Sequence, residues 1–148
     1  MDYFSMSTSM PTLSAFVLQR NRIDCRAFEM LFHAFTESID EKNLYKGFRL
    51  LAVGGSDLHT PTNKDEKSSF YKGANKQSFP LNALYDLQRR IYTDAVVQER
   101  KQWNEHRTFV TMVDRDTAHF PTIYITDRGY WSYKNMAHII ENWHKFLI

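Results

Sequence analysis

The feature that most constrains this chain is the run Phe48-Arg49-Leu50-Leu51-Ala52-Val53, an apolar stretch of strand length that stops at Gly54-Gly55. A run this short and this apolar reads as a buried strand, and a buried strand needs partners and a covering layer. The sequence supplies both. Leu81 to Leu87 and Ile91 to Val97 read as two further strands. The short polar connection Gln88-Arg89-Arg90 makes them an antiparallel hairpin, although the Asn-Gly or Asp-Gly of the tightest hairpins is missing. Ile123-Tyr124-Ile125-Thr126, entered from Pro121 and ended by Asp127-Arg128-Gly129, is another strand.

Helical spacing fills the intervals. Phe28, Leu31, Phe32 and Phe35 fall at i, i+3, i+4 and i+7 in a helix from Arg26, and this stripe is expected to face the core. A second helix is expected over Gln102 to Asp114, with Trp103, His106, Val110 and Val113 along its inner side. A third starts near Ser132, a residue suited to a helix N-cap, with Tyr133, Met136, Ala137, Ile140 and Trp143 at helical spacing. Phe146-Leu147-Ile148 opens one more strand. Residues 1–12 are Ser/Thr/Met-rich and expected to be loose, and His59 to Phe79 reads as a long polar loop. The order predicts an α/β fold, a mixed sheet flanked by helices and incomplete at its C-terminal end. Residues 1–46 form a leading segment and helix, and 47–148 the sheet domain.

Composition limits the function classes. The 148 residues suffice for one real core, and 15% aromatic content argues against a disordered chain. The single Cys25 excludes an internal disulfide framework and a multi-cysteine zinc site, which suits a cytoplasmic protein. No apolar run approaches the roughly 20 residues that span a bilayer, so no membrane partner is expected. The six histidines (His33, His59, His106, His119, His138 and His144) lack ligand spacing. A net charge of +2 neither announces nor opposes nucleic-acid binding. Arg89-Arg90, Arg100-Lys101, Lys72 and Lys76 can contact phosphates, or can simply form a solvated face.

Two positions carry the chemical question. Asp127 sits at the carboxyl end of a strand, the edge where reactive groups gather in open α/β sheets. By spacing alone it is more readily a turn-initiating aspartate. Val53-Gly54-Gly55-Ser56-Asp57 lacks the following helix of a phosphate-binding loop and the Gly-x-Ser-x-Gly of a nucleophilic serine, so it reads as a strand-ending turn.

Several segments together resemble the insertion-sequence-four family of bacterial transposases. They are Ser14 to Val17 with Ala27 to Phe35, Arg49 to Val53 with Gly55-Ser56-Asp57, Leu81 to Leu87, Met112-Val113-Asp114-Arg115, and Asp127-Arg128-Gly129-Tyr130 with Ser132-Tyr133 and Ala137-His138. The resemblance implies a ribonuclease-H-like catalytic domain that cleaves DNA and transfers strands. It implies three carboxylates around two Mg2+ ions about 3.5–4 Å apart, which activate the attacking oxygen and stabilise the leaving one. Asp127 matches the second aspartate and would be both a catalytic residue and a metal ligand. The first aspartate position is Gly54, and the glutamate-bearing segment would belong beyond Ile148. Asp57 lies three residues past Gly54 and in extended chain points to the opposite face. The resemblance thus implies a truncated copy without catalysis, with transposon-end and target DNA as partners. The alternative is a non-enzymatic inhibitor that binds DNA or a full-length transposase.

Overall fold

The computed structural model describes residues 12–39, 43–63, 65, 69–71, 76–118 and 120–148. They form two compact units, one ending at residue 38 and the other running from residue 39 to 148. Lys72 and His119, and the Ser/Thr/Met-rich start up to residue 11, lie outside the described residues.

The first unit holds helices α1 (Leu13–Arg20) and α2 (Arg26–Glu37). Thr12 caps α1 by accepting the Ala15 amide at 3.2 Å. The spacing placed α2 correctly, but the expected core-facing stripe is not buried. Phe28, Leu31 and Phe35 are 58%, 67% and 62% exposed, and Thr36 is the one buried residue described on α2. Amphipathic spacing reveals an apolar stripe; it cannot reveal whether anything covers it.

The second unit is an α/β arrangement. Its described strands are β1 (Arg49–Thr60), β2 (Phe70–Tyr71), β3 (Lys76–Asp86), β4 (Ile91–Val97), β5 (Thr122–Ile125) and β6 (Lys145–Leu147). They form one mixed sheet in the order β2-β3-β1-β5-β6, with β4 also paired to β3. β1, β3 and β4 are antiparallel neighbours, whereas β5 and β6 run parallel to β1. The parallel strands are reached through helices α3 (Glu105–Arg115) and α4 (Tyr133–Glu141), as parallel connections require.

Local chemistry accounts for the turns. Lys46 and Gly47 both have positive φ (50° and 83°), and Tyr45 and Phe48 exchange backbone hydrogen bonds of 2.8 and 2.9 Å. This tight turn feeds β1. The β3–β4 connection manages without Asn-Gly because buried Asp86 organises it. Its Oδ1 accepts the Gln88 and Arg89 amides, and its Oδ2 accepts Arg89 Nε, each at 2.9 Å. Arg89 is therefore a turn residue rather than a free phosphate contact.

Three sequence expectations are corrected here. β1 does not end at Gly54-Gly55 but continues to Thr60, paired with β3 as far as Thr60↔Gln77. Neither glycine has positive φ, so no turn is made there. The expected loop from His59 to Phe79 contains β2 and the first residues of β3, since two residues are too few to show a period and Lys76-Gln77-Ser78 gives no apolar signal. Finally, α3 begins at Glu105 after a short 3₁₀ turn, Arg100–Gln102.

The core joins one face of the sheet to α3 and α4. Leu51, Val53, Leu84 and Tyr124 meet Phe109, Met112, Val113, Tyr130 and Ile139. Phe109 stands edge-on to Tyr124 and Tyr130, with centroids 5.6 and 5.8 Å apart. The inner side of α3 is thus Thr108, Phe109, Met112 and Val113, a register different from the expected Trp103, His106 and Val110. On α4, Asn135 and Ile139 are buried, whereas Tyr133, Ile140 and Trp143 of the expected stripe are exposed. With Val110 of α3 and the exposed Ile140 of α4 lying outside the covered sides, periodicity alone does not choose between the faces.

Candidate functional site

Asp127 leaves β5 at the edge where the parallel strands end. Ala52 of β1 pairs with Ile125 of β5. Gly54 follows two residues after Ala52 within β1, and Asp127 two residues after Ile125, just past the end of β5. A methyl group added at Gly54 would meet nothing within 4 Å. The two positions that the resemblance singles out thus follow the last β1–β5 pair by the same two residues, one with a carboxylate and the other with no side chain. Asp127 also performs the turn role that its spacing suggests. It caps the 3₁₀ turn Arg128–Tyr130, its Oδ1 accepting the Gly129 amide at 2.7 Å.

Gly55 faces the opposite way, toward the helices. A methyl group there would lie 3.3 Å from Asn82 Oδ1, Glu105 Oε1 and Tyr130 Oη alike. One added at Gly129 would lie 2.9 Å from Asp127 Oδ1 and 3.9 Å from Glu105 Oε2. Glu105 and Asp127 thus flank the same strand end from α3 and β5. Asn104 brings Glu105 there by capping α3, its side chain accepting the Arg107 amide at 2.9 Å.

Tyr130 ties the site to the core. Its hydroxyl donates to Asn82 Oδ1 at 2.7 Å, and Asn135 Nδ2 donates to its carbonyl at 3.0 Å. Burial, and then the negative charges of Glu105 and Asp127, push the Tyr130 hydroxyl well above the usual tyrosine range. It remains a protonated donor.

Concavities open beside this site. A cleft of about 200 Å³ lies between the middle of β1 and β3 and the start of α3, lined by Gly55, Asn82, Trp103 and Glu105 among others. A wider groove of about 630 Å³ runs past Arg128, Trp131, Met136, Phe146 and Leu147. Asp57, on the face opposite Gly54, is paired with Arg100 at 2.7 Å and so takes no place beside Asp127. Three of the histidines that spacing left unassigned have hydrogen-bonded partners, His106 with Asn135 Nδ2 at 2.9 Å among them. His138 bonds Asp114 at 2.7 Å, and His144 Nδ1 accepts the Thr122 amide at 3.3 Å.

A pair of Mg2+ ions does not fit these side chains. Bridging two ions takes several carboxylate oxygens, and Gly54 supplies none. Among the described residues, no group of three His, Cys, Asp or Glu side chains is arranged to hold a metal ion. Among them, too, no helix is long and apolar enough to cross a membrane.

Sequence reading singled out Asp127 but missed Glu105 and Asn82. Neither stands in a motif, and they approach Asp127 only through strand pairing and the capped start of α3. Comparison with known protein families, with curated proteins and with solved structures finds no match to this chain.

Proposed function

We propose that this chain is of the insertion-sequence-four transposase type, with a ribonuclease-H-like sheet that binds DNA without cutting it. The observation that supports this reading is the parallel β1–β5 register, whose last pair, Ala52 and Ile125, lies two residues before Gly54 and Asp127. The resemblance assigns the family's first two catalytic aspartates to these two positions. Here one of the two positions has lost its side chain. The strand order supports the same reading, since an antiparallel meander is followed by helix-linked strands parallel to β1 on its other side. Loss of the carboxylate at Gly54 removes metal-assisted cleavage at this centre, because Asp127 alone cannot hold two ions.

DNA binding is expected to weaken steeply with added salt, as phosphate contacts release counterions. The purified chain is expected not to nick DNA in Mg2+ or Mn2+. The decisive variant is Gly54→Asp, for which the backbone has room. It is expected to bind Mn2+ on the order of 10-fold or more tightly than the parent, by calorimetric titration. That gain should vanish in Gly54→Asp/Asp127→Asn. A cooperatively folded Gly54→Asp protein with unchanged Mn2+ affinity would remove the basis for the proposal.

A further inference from the structure

We infer that the groove beside β6 docks the free carboxyl end of an extended apolar peptide from another protein. The peptide lies parallel to β6 with its carboxylate on Arg128. This goes beyond the DNA-binding reading and does not depend on it. Three observations converge on that occupant. The groove, about 630 Å³, falls within the range of ligand clefts, roughly 300–1,000 Å³. Its walls include Trp131, Leu147 and Ile148, which are 52%, 59% and 43% exposed and so stand largely uncovered.

The backbone beside the groove selects a peptide. β6 is last in the sheet order, and among the described residues no strand lies beyond it. The Leu147 carbonyl points back to β5 and accepts the Thr126 amide at 2.9 Å. Alternation along the strand turns the N–H and C=O of Phe146 the other way, toward the open edge. An added strand takes up both groups, which a lipid chain cannot do. Charge then sets the direction. Arg128 is the one charged side chain among the described residues that line the groove. Its guanidinium has no hydrogen bond or ion pair among the described residues. It follows Ile125, the partner of Leu147, by three residues and so stands at the carboxyl end of β6. A peptide parallel to β6 brings its own carboxylate to that end, where arginine can bind it through two hydrogen bonds. An antiparallel peptide would bring an ammonium group, which the guanidinium repels. Alternate side chains of the parallel peptide enter the apolar groove.

The test uses the full chain and the fluorescein-labelled peptide Gly-Ser-Gly-Thr-Leu-Thr-Val, as the free acid and as the carboxyl-terminal amide. Binding is read by fluorescence anisotropy. The acid is expected to bind on the order of 10-fold more tightly than the amide. Arg128→Gln should erase that difference while leaving the affinity for the amide unchanged. Methylating single peptide amides should weaken binding at alternate positions only, and Ser in place of the peptide Leu and Val should weaken both forms. In a Trp103→Phe/Trp143→Phe background the remaining Trp131 emission should shift when the peptide binds. No binding at about 1 mM peptide, equal affinities for acid and amide, or a preference that survives Arg128→Gln would overturn the inference. Concentration-dependent dimerisation that Leu147→Lys abolishes would assign the groove to a second copy. Loss of duplex DNA binding alone in Arg128→Gln would assign the arginine to a phosphate. Either result would overturn the inference and leave the transposase reading standing.

Discussion

Arg49 starts β1 with its guanidinium buried, where it meets Asp116 and lies 3.1–3.3 Å from Thr122 Oγ1. A buried cation stripped of its carboxylate costs far more than the intact pair contributes. Asp116→Ala is therefore expected to destabilise the protein by about 3 kcal/mol or more, measured by urea unfolding. A loss below about 1 kcal/mol would show that water or Thr122 satisfies the guanidinium instead. At the same scale the candidate site depends on two glycines with opposite consequences. Gly54 has open space where a side chain would go, whereas Gly55 has three polar neighbours at 3.3 Å. Their adjacency in sequence hides this difference. It comes from the alternation of side chains across a continuous strand, and that continuity is concealed by the glycines themselves.

At the scale of elements, the end of α4 has an unusual occupant. The Trp143 amide donates to the Ile140 carbonyl and the His144 amide to the Ile139 carbonyl, both at 3.0 Å, which closes the helix in a Schellman arrangement. The left-handed position is Trp143, at φ 62°, where glycine is usual. Trp143 is 90% exposed and has little packing to lose. Trp143→Gly is expected to raise the thermal midpoint, equivalent to about 0.5–1 kcal/mol after allowing for glycine's unfolded-state entropy. A lowered midpoint would mean that the indole packs in solution. His144 follows, connecting α4 to β5 through Thr122. Burial, and secondarily the Arg49 charge, hold its imidazole below the usual histidine range. Above the unfolded value of about 6.5 both states are neutral and the stability is full. As pH falls below it the unfolded chain takes up the proton first, so stability declines until the folded pKa is passed. Urea midpoints should fall on acidification through this window, and His144→Asn should flatten that slope. The spacing of α2, α4 and β5 was legible from sequence because their apolar residues repeat at 3.6 or 2. β2 and the start of β3 were not, because a two-residue strand is too short for a repeat and Lys76-Gln77-Ser78 is polar throughout.

Across the whole sheet domain, α3 and α4 lie on one face, and β4 borders the sheet with Tyr92 and Val97 each 55% exposed. Edge strands with apolar side chains recruit other chains. Val97→Lys is expected to lower concentration-dependent light scattering and to shift unfolding by no more than roughly 0.5 kcal/mol. Unchanged scattering would assign any association to another surface. The α/β class and the alternation of strands with helices were settled by the sequence itself, since periodicity and turn residues are local properties of the chain. So was the position of Asp127 at a strand end, because an apolar run followed by Asp-Arg-Gly ends in the same way in any context. Which side of each helix is covered, and the passage of β1 straight through Gly54-Gly55, were decided by tertiary structure alone. The same holds for the approach of Glu105, Asn82 and Trp103 to one cleft. These features depend on contacts between residues tens of positions apart, and only the pairing of β1 with β3 and β5 brings those residues together.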